Sequence, residues 1–370
     1  MDNGSYLYFI TICLNCIIFE KLHAGTLYRN TKFKIMQAIQ LENYGIENLR
    51  ITEIPTPILG ENEVLVKTTA VSLQYLDLLT VENTVGLNIP LPFIPVAEGV
   101  GVVESVGKNV TRWEKGDRVL IPFIPRWEAG KTTSYHNALR TGMQTSGTLA
   151  EFTVQPENTL VRTPENLTDE EATSLSVAGL TAWAMLVTQA NIKAGQTILI
   201  QGTGGVSLSA LQIAKMSGLK VIATTGSKEK EQKLKTLGAD AVINYKDFPQ
   251  WSNEVKRLNN GTGVDITLDV AGDETIGQSI NSVKEHGFVG LVGFMSGSKL
   301  SFDVFPLIMN YIRLQGYSVG NAQELDDLVN AIEKNNLKPV IDSVYSINQT
   351  QQAFQKLKSG TAFGKIVIKF

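Results

Sequence analysis

The chain has 370 residues, of which 43% are hydrophobic and 19% charged, so it is long enough for two ordinary domains with a substantial core. Its formal net charge is −3, from 33 basic and 36 acidic residues, and this balance gives no reason to expect a nucleic-acid partner. The two cysteines, Cys13 and Cys16, both precede residue 20, and the three histidines share no metal-like spacing. Neither a disulfide framework nor a zinc cluster is therefore predicted.

Residues 1–35 differ in character from the rest of the chain. Their apolar run, Tyr6–Phe19, is shorter than the roughly 20 residues of a membrane-spanning helix. A signal peptide begins with positively charged residues, whereas this chain has the acidic Asp2 at that place. We interpret residues 1–35 as an N-terminal extension outside the fold, with a membrane-surface anchor as the alternative.

Residues 36–162 have the pattern of an all-β domain. Short runs rich in Val and Ile alternate with Gly, Pro and Asn, which predicts a small, strongly bent β-barrel. The predicted strands are 36–41, 63–72, 99–106, 117–122 and 149–154. The insertion at 122–147 is long for a compact domain, and we expect it to be a lid or an interface arm.

Strands and helices alternate in the second part of the chain. Thr168 and Glu171 form a capping box that begins a helix. Strands are predicted at 197–201, 220–225, 240–244, 264–270, 287–293 and 312–318, with helices between them that include 227–237 and 275–284. Helices near 322–334 and 349–357 and a strand at 365–370 follow. This alternation is typical of a doubly wound parallel sheet, so the fold class is α/β.

A glycine cluster follows the first of these strands. Gly202, Gly204 and Gly205 separate the apolar run Ile198–Ile200 from a helical pattern that begins near Val206. A strand, a tight glycine turn and a helix place free backbone N–H groups and a positive helix end against a phosphate. The third fingerprint position holds Ser207 instead of glycine, and a turn of this kind is a weak signal when taken alone.

The end of the next strand bears on the choice of dinucleotide. An NAD site has Asp or Glu at this position to hold the ribose 2′-hydroxyl. Here the strand ends in Thr225-Gly-Ser-Lys-Glu-Lys, which offers Ser227, Lys228 and Lys230. Hydroxyl and ammonium groups suit a 2′-phosphate, so we predict NADP(H).

Seven segments together resemble the medium-chain dehydrogenase/reductase superfamily, and most of all its zinc-free quinone oxidoreductase-like branch. They are V-S-L-Q-Y-L-D-L-L (71–79), G-V-G-V-V-E-S-V-G (99–107), G-D-R-V (116–119), A-G-L-T-A-W (178–183), G-T-G-G-V-S (202–207), L-G-A-D-A-V-I-N-Y (237–245) and F-G-K-I-V-I-K-F (363–370). The resemblance implies a GroES-like β-barrel catalytic domain at 36–162 and 321–370, and a Rossmann NADP-binding domain at 163–320. It also implies a cleft between them.

The resemblance also implies a set of cofactor-binding residues. These are Thr181, Gly202, Gly204, Gly205, Val206, Ser227, Lys230, Tyr245, Val270, Ala271, Gly293, Phe294 and Lys365. Zinc-dependent members of the superfamily carry a catalytic Cys near the 71–77 motif and Gly-His-Glu before the next glycines. This chain has Leu73-Gln74-Tyr75 and Val96-Ala97-Glu98, so only Glu98 remains. We predict no metal.

Without a Lewis acid, alcohol oxidation is disfavoured. A quinone or an α,β-unsaturated carbonyl delocalises the charge that develops on hydride transfer, and modest hydrogen bonds can stabilise it. Tyr75 and Gln74 are the candidate catalytic donors, while Asp77 is interpreted as a structural residue that holds the loop or a nearby cation. The chain is thus predicted to be an NADPH-dependent reductase. An alcohol dehydrogenase-like enzyme and a non-enzymatic NADPH-binding protein are the alternatives.

The expected partners are a small-molecule substrate and, as the resemblance implies, a second copy of the chain. This homodimer would form through the edge strands of the Rossmann sheet. Neither a nucleic acid nor a membrane is expected as a partner, and a cytoplasmic location is expected.

Overall fold

A computed structural model of the chain describes residues 34–84 and 86–370. The interpretation of residues 1–35 as an extension, with Cys13 and Cys16, therefore lies almost wholly outside the described residues. Within the described ranges, none of the helices is both long enough and apolar enough to cross a membrane.

The strands in the described part of the chain are β1 Ile35–Leu41, β2 Leu49–Pro55, β3 Glu63–Ser72, β4 Glu98–Val106, β5 Arg118–Ile121, β6 Phe152–Pro156, β7 Val161–Arg162, β8 Thr197–Gln201, β9 Lys220–Thr225, β10 Ala241–Asn244, β11 Val264–Asp269, β12 Val283–Leu291, β13 Arg313–Gly316, β14 Ile341–Ser346 and β15 Lys365–Lys369.

The α-helices are α1 Tyr75–Val81, α2 Ser134–Asn137, α3 Asp169–Ala172, α4 Leu180–Trp183, α5 Gly205–Met216, α6 Lys228–Thr236, α7 Trp251–Leu258, α8 Asp273–Ser282, α9 Val304–Met309, α10 Ala322–Asn335 and α11 Thr350–Lys358. Two π-helical segments, Leu175–Gly179 and Ala184–Gln189, flank α4, and short 3₁₀ turns occupy Ile46–Asn48 and Ile347–Gln349.

The second part of the chain forms a six-stranded parallel sheet in the order β10-β9-β8-β11-β12-β13. This order confirms the predicted doubly wound α/β fold. Ile198 and Ile200 pack into one apolar cluster with α5, whereas Leu199 packs into another with α7 and α8. Both faces of β8 are thus covered, which explains why its sequence is a continuous apolar run.

A second sheet is mainly antiparallel and has the order β14-β15-β3-β4-β5-β7, with β6 also paired to β3. The last strand of the chain, β15, runs antiparallel to β3 and parallel to β14. The β1–β2 ribbon lies beside this sheet, since the Ile39 N–H donates to Leu149 O at 2.9 Å. The GroES-like fold is confirmed, and a strand near the C-terminus belongs to it. The domain boundaries remain a prediction, and α10 packs against both β7 and α4.

Most predicted elements are present, with shifted ends. The capping box of Thr168 and Glu171 forms as expected, with the Glu171 N–H 3.3 Å from Thr168 Oγ1. The helix predicted over 275–284 ends at Ser282, because the next residue, Val283, has extended backbone and begins β12. The strand predicted at 149–154 begins at Phe152, because the residues before it bond to the 94–96 segment and to β1 instead.

The insertion at 122–147 is packed onto the body of the protein at several points. Trp127 is buried, and its carbonyl accepts the Ala322 N–H at 3.1 Å at the start of α10. Gly142 and Gly147 lie so close to the backbone of Pro95 and Val96 that a Cβ on either glycine would overlap it. The insertion therefore borders the segment that leads into Glu98. Its function as a lid or an interface arm stays a prediction.

Candidate active site

The glycine turn after β8 has one open face and one closed face. Gly202 has φ +70°, a conformation that favours glycine, and Gly204 is the N-cap of α5. A Cβ built on Gly202 or Gly204 would meet no described atom within 4 Å. A Cβ on Gly205 would lie 2.5 Å from Lys365 Cδ. The open face leaves room for a ligand against the N-terminus of α5.

Ser207 explains how this turn works without its third glycine. The side chain is buried, and its hydroxyl donates to the Gln201 carbonyl at 2.6 Å. Helix α5 is thereby held close to the end of β8 by a small polar side chain. Val206 follows Gly205 in the first turn of this helix and is half-buried.

The three residues predicted to hold a 2′-phosphate lie near one another at the end of β9. Ser227 caps α6, with its hydroxyl oxygen 3.4 Å from the Lys230 N–H. Tyr245 is 46% exposed, and its phenol lies against Gly226. The Lys230 ammonium donates to the Ala362 carbonyl at 2.9 Å, so part of its hydrogen-bonding capacity is already used. The nearest acid along the chain, Glu229, is paired with a lysine of its own helix.

The ends of β11 and β12 supply the neighbouring wall. Gly293 packs against the Val270 carbonyl, Phe294 is 39% exposed, and Ala271 begins the turn that leads to α8. Asp269, which we did not single out from the sequence, shapes this turn. Its buried carboxylate accepts the Ala271 N–H at 3.0 Å and other donors of the same turn and of α8. The sequence signal for this role is an acidic residue, Asp269, at the end of the strand segment I-T-L-D (266–269).

The turns that follow β9, β8, β11 and β12 all lie at the carboxyl-terminal edge of the sheet, because these four strands are parallel neighbours. The chain reverses its direction of strand addition between β8 and β11, and ligands of open α/β sheets bind at such a switch point. Thr181 is buried, and its hydroxyl donates to Ser318 O at 3.0 Å. Its assignment as a cofactor-binding residue stays a prediction.

A buried charged cluster lies behind the glycine turn, centred on Glu98, which is fully buried. Lys365 Nζ lies 2.8 Å from Glu98 Oε1, and the Ser72 hydroxyl and the Gln74 side-chain amide donate to that same oxygen. The other carboxylate oxygen accepts the Val177 N–H at 2.6 Å, from the π-helical segment before α4. Lys365 also donates to the Leu73 carbonyl at 2.6 Å. The cluster thus joins β3, β4, β15 and the π-helical segment.

Gln74 and Tyr75 begin α1 beside this cluster. Since only the NH₂ group of an amide can donate to a carboxylate, the contact with Glu98 fixes which way the Gln74 amide is turned. Tyr75 is 36% exposed, and within residues 34–84 and 86–370 no group is hydrogen-bonded to its hydroxyl. Of the two predicted donors, Tyr75 is the more accessible.

Asp77 has the loop-holding contacts expected of a structural residue. Its buried carboxyl group accepts the Gln74 N–H at 2.7 Å and the Ala97 N–H at 3.0 Å, which ties the start of α1 to the segment before β4. Burial raises the pKa of Asp77 to about 7, while its backbone hydrogen bonds and the nearby Lys365 act in the opposite direction.

The groups around Glu98 do not suit a zinc ion. Zinc in proteins takes thiolate, imidazole and carboxylate ligands in a tetrahedral set. Here the partners of the carboxylate are a hydroxyl, an amide NH₂, a backbone N–H and an ammonium, and the ammonium has no lone pair to offer. Throughout the described residues, no three His, Cys, Asp or Glu side chains are grouped as a metal site. The partners of Glu98 thus do not form a ligand set for zinc.

Comparison with known proteins identifies the class. Residues 60–165 match the family model described as "Alcohol dehydrogenase GroES-like domain", and residues 205–334 match "Zinc-binding dehydrogenase". The chain belongs to the medium-chain dehydrogenase/reductase superfamily, as the sequence motifs indicated. It is an oxidoreductase of that superfamily, whose members bind NAD or NADP.

Individual relatives cover nearly the whole fold. A zinc-type alcohol dehydrogenase-like protein of Schizosaccharomyces pombe is 34% identical over 88% of this chain and 96% of its own length. A human quinone oxidoreductase is 26% identical over 90% of this chain and 98% of its own. The crystal structure of a putative alcohol dehydrogenase from Sinorhizobium meliloti 1021 matches with a TM-score of 0.86 and 40% identity, covering 92% of this chain and all of that one. The relatives thus carry names from both the alcohol dehydrogenase and the quinone oxidoreductase groups.

Proposed function

We propose that this protein is an NADPH-dependent reductase that transfers hydride to a quinone or an α,β-unsaturated carbonyl without zinc. The observation that carries the proposal is the set of groups around Glu98. Its carboxylate is fully buried and bonded to Lys365, Ser72, Gln74 and Val177, and each of these contributes a hydrogen-bond donor. A metal that could ionise an alcohol has no ligand set there, which supports reduction of an activated acceptor.

The preference for NADPH is supported by the end of β9. The Ser227 hydroxyl and the Tyr245 phenol lie at the turn after β9, and Lys230 follows in the first turn of α6, with its ammonium at the Ala362 carbonyl. None of the four residues 225–228 at the end of this strand is acidic. A bound 2′-phosphate would be stabilised by these groups, whereas an unphosphorylated ribose would lack its usual carboxylate partner. The Gly202 and Gly204 face is the proposed place of the pyrophosphate.

The nicotinamide of the bound cofactor would supply the hydride. The chain's own contribution would be to orient the acceptor and to donate hydrogen bonds to its oxygen as negative charge develops there. Tyr75 is exposed enough to reach a ligand, and Gln74 keeps a second amide hydrogen after it donates to Glu98. The proposed roles are therefore a phenolic donor and an amide donor at the start of one helix.

The proposal is tested by following NADPH absorbance with a panel of quinones and enals, in the presence and absence of a chelator. We expect turnover on at least one class, unaffected by the chelator. We also expect tighter binding of NADPH than of NADH, and Ser227→Asp with Lys230→Ala should erode that preference. Equal affinity for the two dinucleotides in the wild type would defeat the 2′-phosphate assignment. Tight NADPH binding without turnover on any acceptor would instead favour a binding protein.

Alcohol dehydrogenase activity is the second candidate, because relatives with that name match the chain over most of its length. It requires a metal at or near Glu98. Elemental analysis of the purified protein that shows stoichiometric zinc, together with alcohol oxidation abolished by a chelator, would establish it in place of our proposal.

We further propose that the protein is a cytoplasmic homodimer. Strand β13 is one of the two edge strands of the six-stranded sheet, β10 being the other, and α9, which precedes β13, has no buried residue. Phe305 and Ile308 of α9 are 65% and 62% exposed, and Tyr311, just before β13, is more exposed still. A contiguous exposed apolar surface beside an unpaired strand edge supports pairing with a second copy.

A further inference from the structure

The buried ion pair between Glu98 and Lys365 is not explained by stability alone. Both side chains are almost completely removed from water, with 0% and 5% exposure. Moving two charges out of water is costly, and replacing such a pair by apolar residues is often neutral or stabilising. A pair of this kind therefore raises the question of what its geometry holds in place.

Lys365 connects the glycine turn to the start of α1. The N–H of Gly364, its neighbour, donates to the carbonyl of Thr203 inside the glycine turn at 3.0 Å. The methylene groups of Lys365 pack directly beneath Gly205. Its ammonium group then donates to Leu73 O at 2.6 Å. One side chain thus spans from the proposed pyrophosphate site to the residue next to Gln74.

The same ammonium group also acts on Gln74 through Glu98. It holds the carboxylate oxygen that accepts the Gln74 amide, so the amide is held by a carboxylate that is itself fixed by Lys365. Tyr75 follows directly in α1. Both proposed donors to the acceptor oxygen are therefore attached, through two separate contacts of one lysine, to the turn proposed to hold the dinucleotide.

We infer that Lys365 is a positioning residue, which sets the distance between the bound nicotinamide nucleotide and the hydrogen-bond donors Gln74 and Tyr75. This inference rests on the proposed function. It departs from the sequence-based expectation that Lys365 contacts the cofactor itself, because the ammonium is buried and already bonded to two protein groups. The role is geometric, since Lys365 neither touches the reacting atoms nor passes a proton to them.

The inference is tested with Lys365→Met, which keeps an unbranched chain that ends where Lys365 has Cε and removes only the ammonium group. Because this change leaves Glu98 charged and buried, the double variant Glu98→Gln with Lys365→Met is prepared beside it, in which neither charge remains. In both variants we expect kcat to fall on the order of 10²-fold, as for a displacement of the reacting groups by about 1 Å. The dissociation constant of NADPH should stay within about threefold of the wild type, a change of less than about 1 kcal/mol.

The matched control is Lys369→Met. Lys369 lies on the same strand, and its ammonium is paired with Glu170 at 2.6 Å, but the lysine side chain is 58% exposed and lies outside the site. We expect its kcat and NADPH affinity to equal those of the wild type. Gly205→Ala adds a test that keeps both charges, since its methyl group would displace the Lys365 side chain, and it should lower kcat as well.

The outcomes separate the inference from the proposed function. If the wild-type protein reduces no quinone or enone, the proposed function is refuted. A wild type that is active, with kcat retained in the Lys365 variants, overturns the positioning role alone. Loss of NADPH affinity with kcat unchanged would also overturn it, because Lys365 would then be a direct cofactor ligand. If the Lys365 variants do not fold, kcat of Gly205→Ala decides: a wild-type value refutes the inference, and a lowered value at unchanged NADPH affinity supports it.

Discussion

Because the glycine turn has an open face, Gly204→Ala should weaken the binding of NADPH and leave the stability of the fold nearly unchanged. Gly204 has φ −77° and ψ 175°, which alanine adopts without strain, and its added methyl group would meet no described atom within 4 Å. We therefore expect the free energy of unfolding to change by only about 0.5 kcal/mol, the usual effect of alanine for glycine at an N-cap without strain.

Cofactor binding should respond quite differently. If the pyrophosphate lies against the N-terminus of α5, the methyl group added by Gly204→Ala would occupy the space that the phosphate oxygens need to reach the backbone N–H groups. We expect the dissociation constant of NADPH to rise about tenfold or more, which corresponds to about 1.4 kcal/mol. Titration of NADPH fluorescence measures the affinity, and thermal unfolding monitored by circular dichroism measures the stability.

Two further glycines serve as comparisons. Gly277→Ala also places a methyl group in open space, but within α8, so it should leave NADPH affinity unchanged and stabilise the fold by about 1 kcal/mol. Gly205→Ala should destabilise the fold, because its methyl group collides with Lys365 and comes within 3.1 Å of Ala178 Cβ. An NADPH affinity of Gly204→Ala equal to that of the wild type would refute the placement of the pyrophosphate at this turn.

Three other predictions follow from the same structure. Tyr75→Phe removes the proposed phenolic donor, and we expect kcat to fall about 10²-fold with NADPH affinity unchanged, as when one oxyanion donor is lost; steady-state kinetics with the best acceptor would show it. The pKa of Asp77 is about 7 in the folded chain, against an ordinary value of 3.8, so the folded chain binds this proton more tightly than the unfolded chain. Protonated Asp77 therefore contributes to the free energy of unfolding below pH 4, and this contribution is lost as the pH rises to about 7. Urea unfolding across that range should show the decline, and Asp77→Asn should flatten it; an unchanged slope in the variant would contradict this assignment. Finally, Ile308→Asp on α9 should convert a particle of twice 40.4 kDa to one of 40.4 kDa in light scattering, whereas Phe248→Asp, an equally drastic change at another exposed apolar residue, should not.

The parts of the fold that depend on local pattern could be predicted from the sequence. Strands β8 and β9 begin and end at the predicted residues, because a continuous apolar run bounded by glycine or polar residues admits few other readings. The glycine turn and the lack of an acid after β9 could also be read directly. Both features lie within a few residues of a recognisable strand end.

The charged cluster could not be predicted in the same way. The contact between Lys365 and Leu73 joins residues 292 positions apart, and it exists only because β15 lies beside β3. The sequence motifs assign Lys365 to the cofactor and Gln74 to the substrate, and they do not indicate that both side chains contact Glu98. The motifs likewise assign Thr181 to the cofactor, and they do not indicate that its hydroxyl donates to Ser318 O. Side-chain direction depends on packing between distant segments, which short motifs do not encode.

The position of β15 has a consequence for how the protein is made. Strand β3 is synthesised long before β15, the strand that pairs with its Ala70–Ser72 stretch. Until β15 is synthesised, the nascent chain exposes the edge of β3 that β15 later covers, and Glu98 lacks its counter-ion Lys365. The parallel sheet, whose strands lie between β3 and β15 in the sequence, can already fold at that stage. Unpaired edges of this kind promote aggregation, so a ribosome that stalls shortly before residue 365 would release a chain in need of chaperone protection.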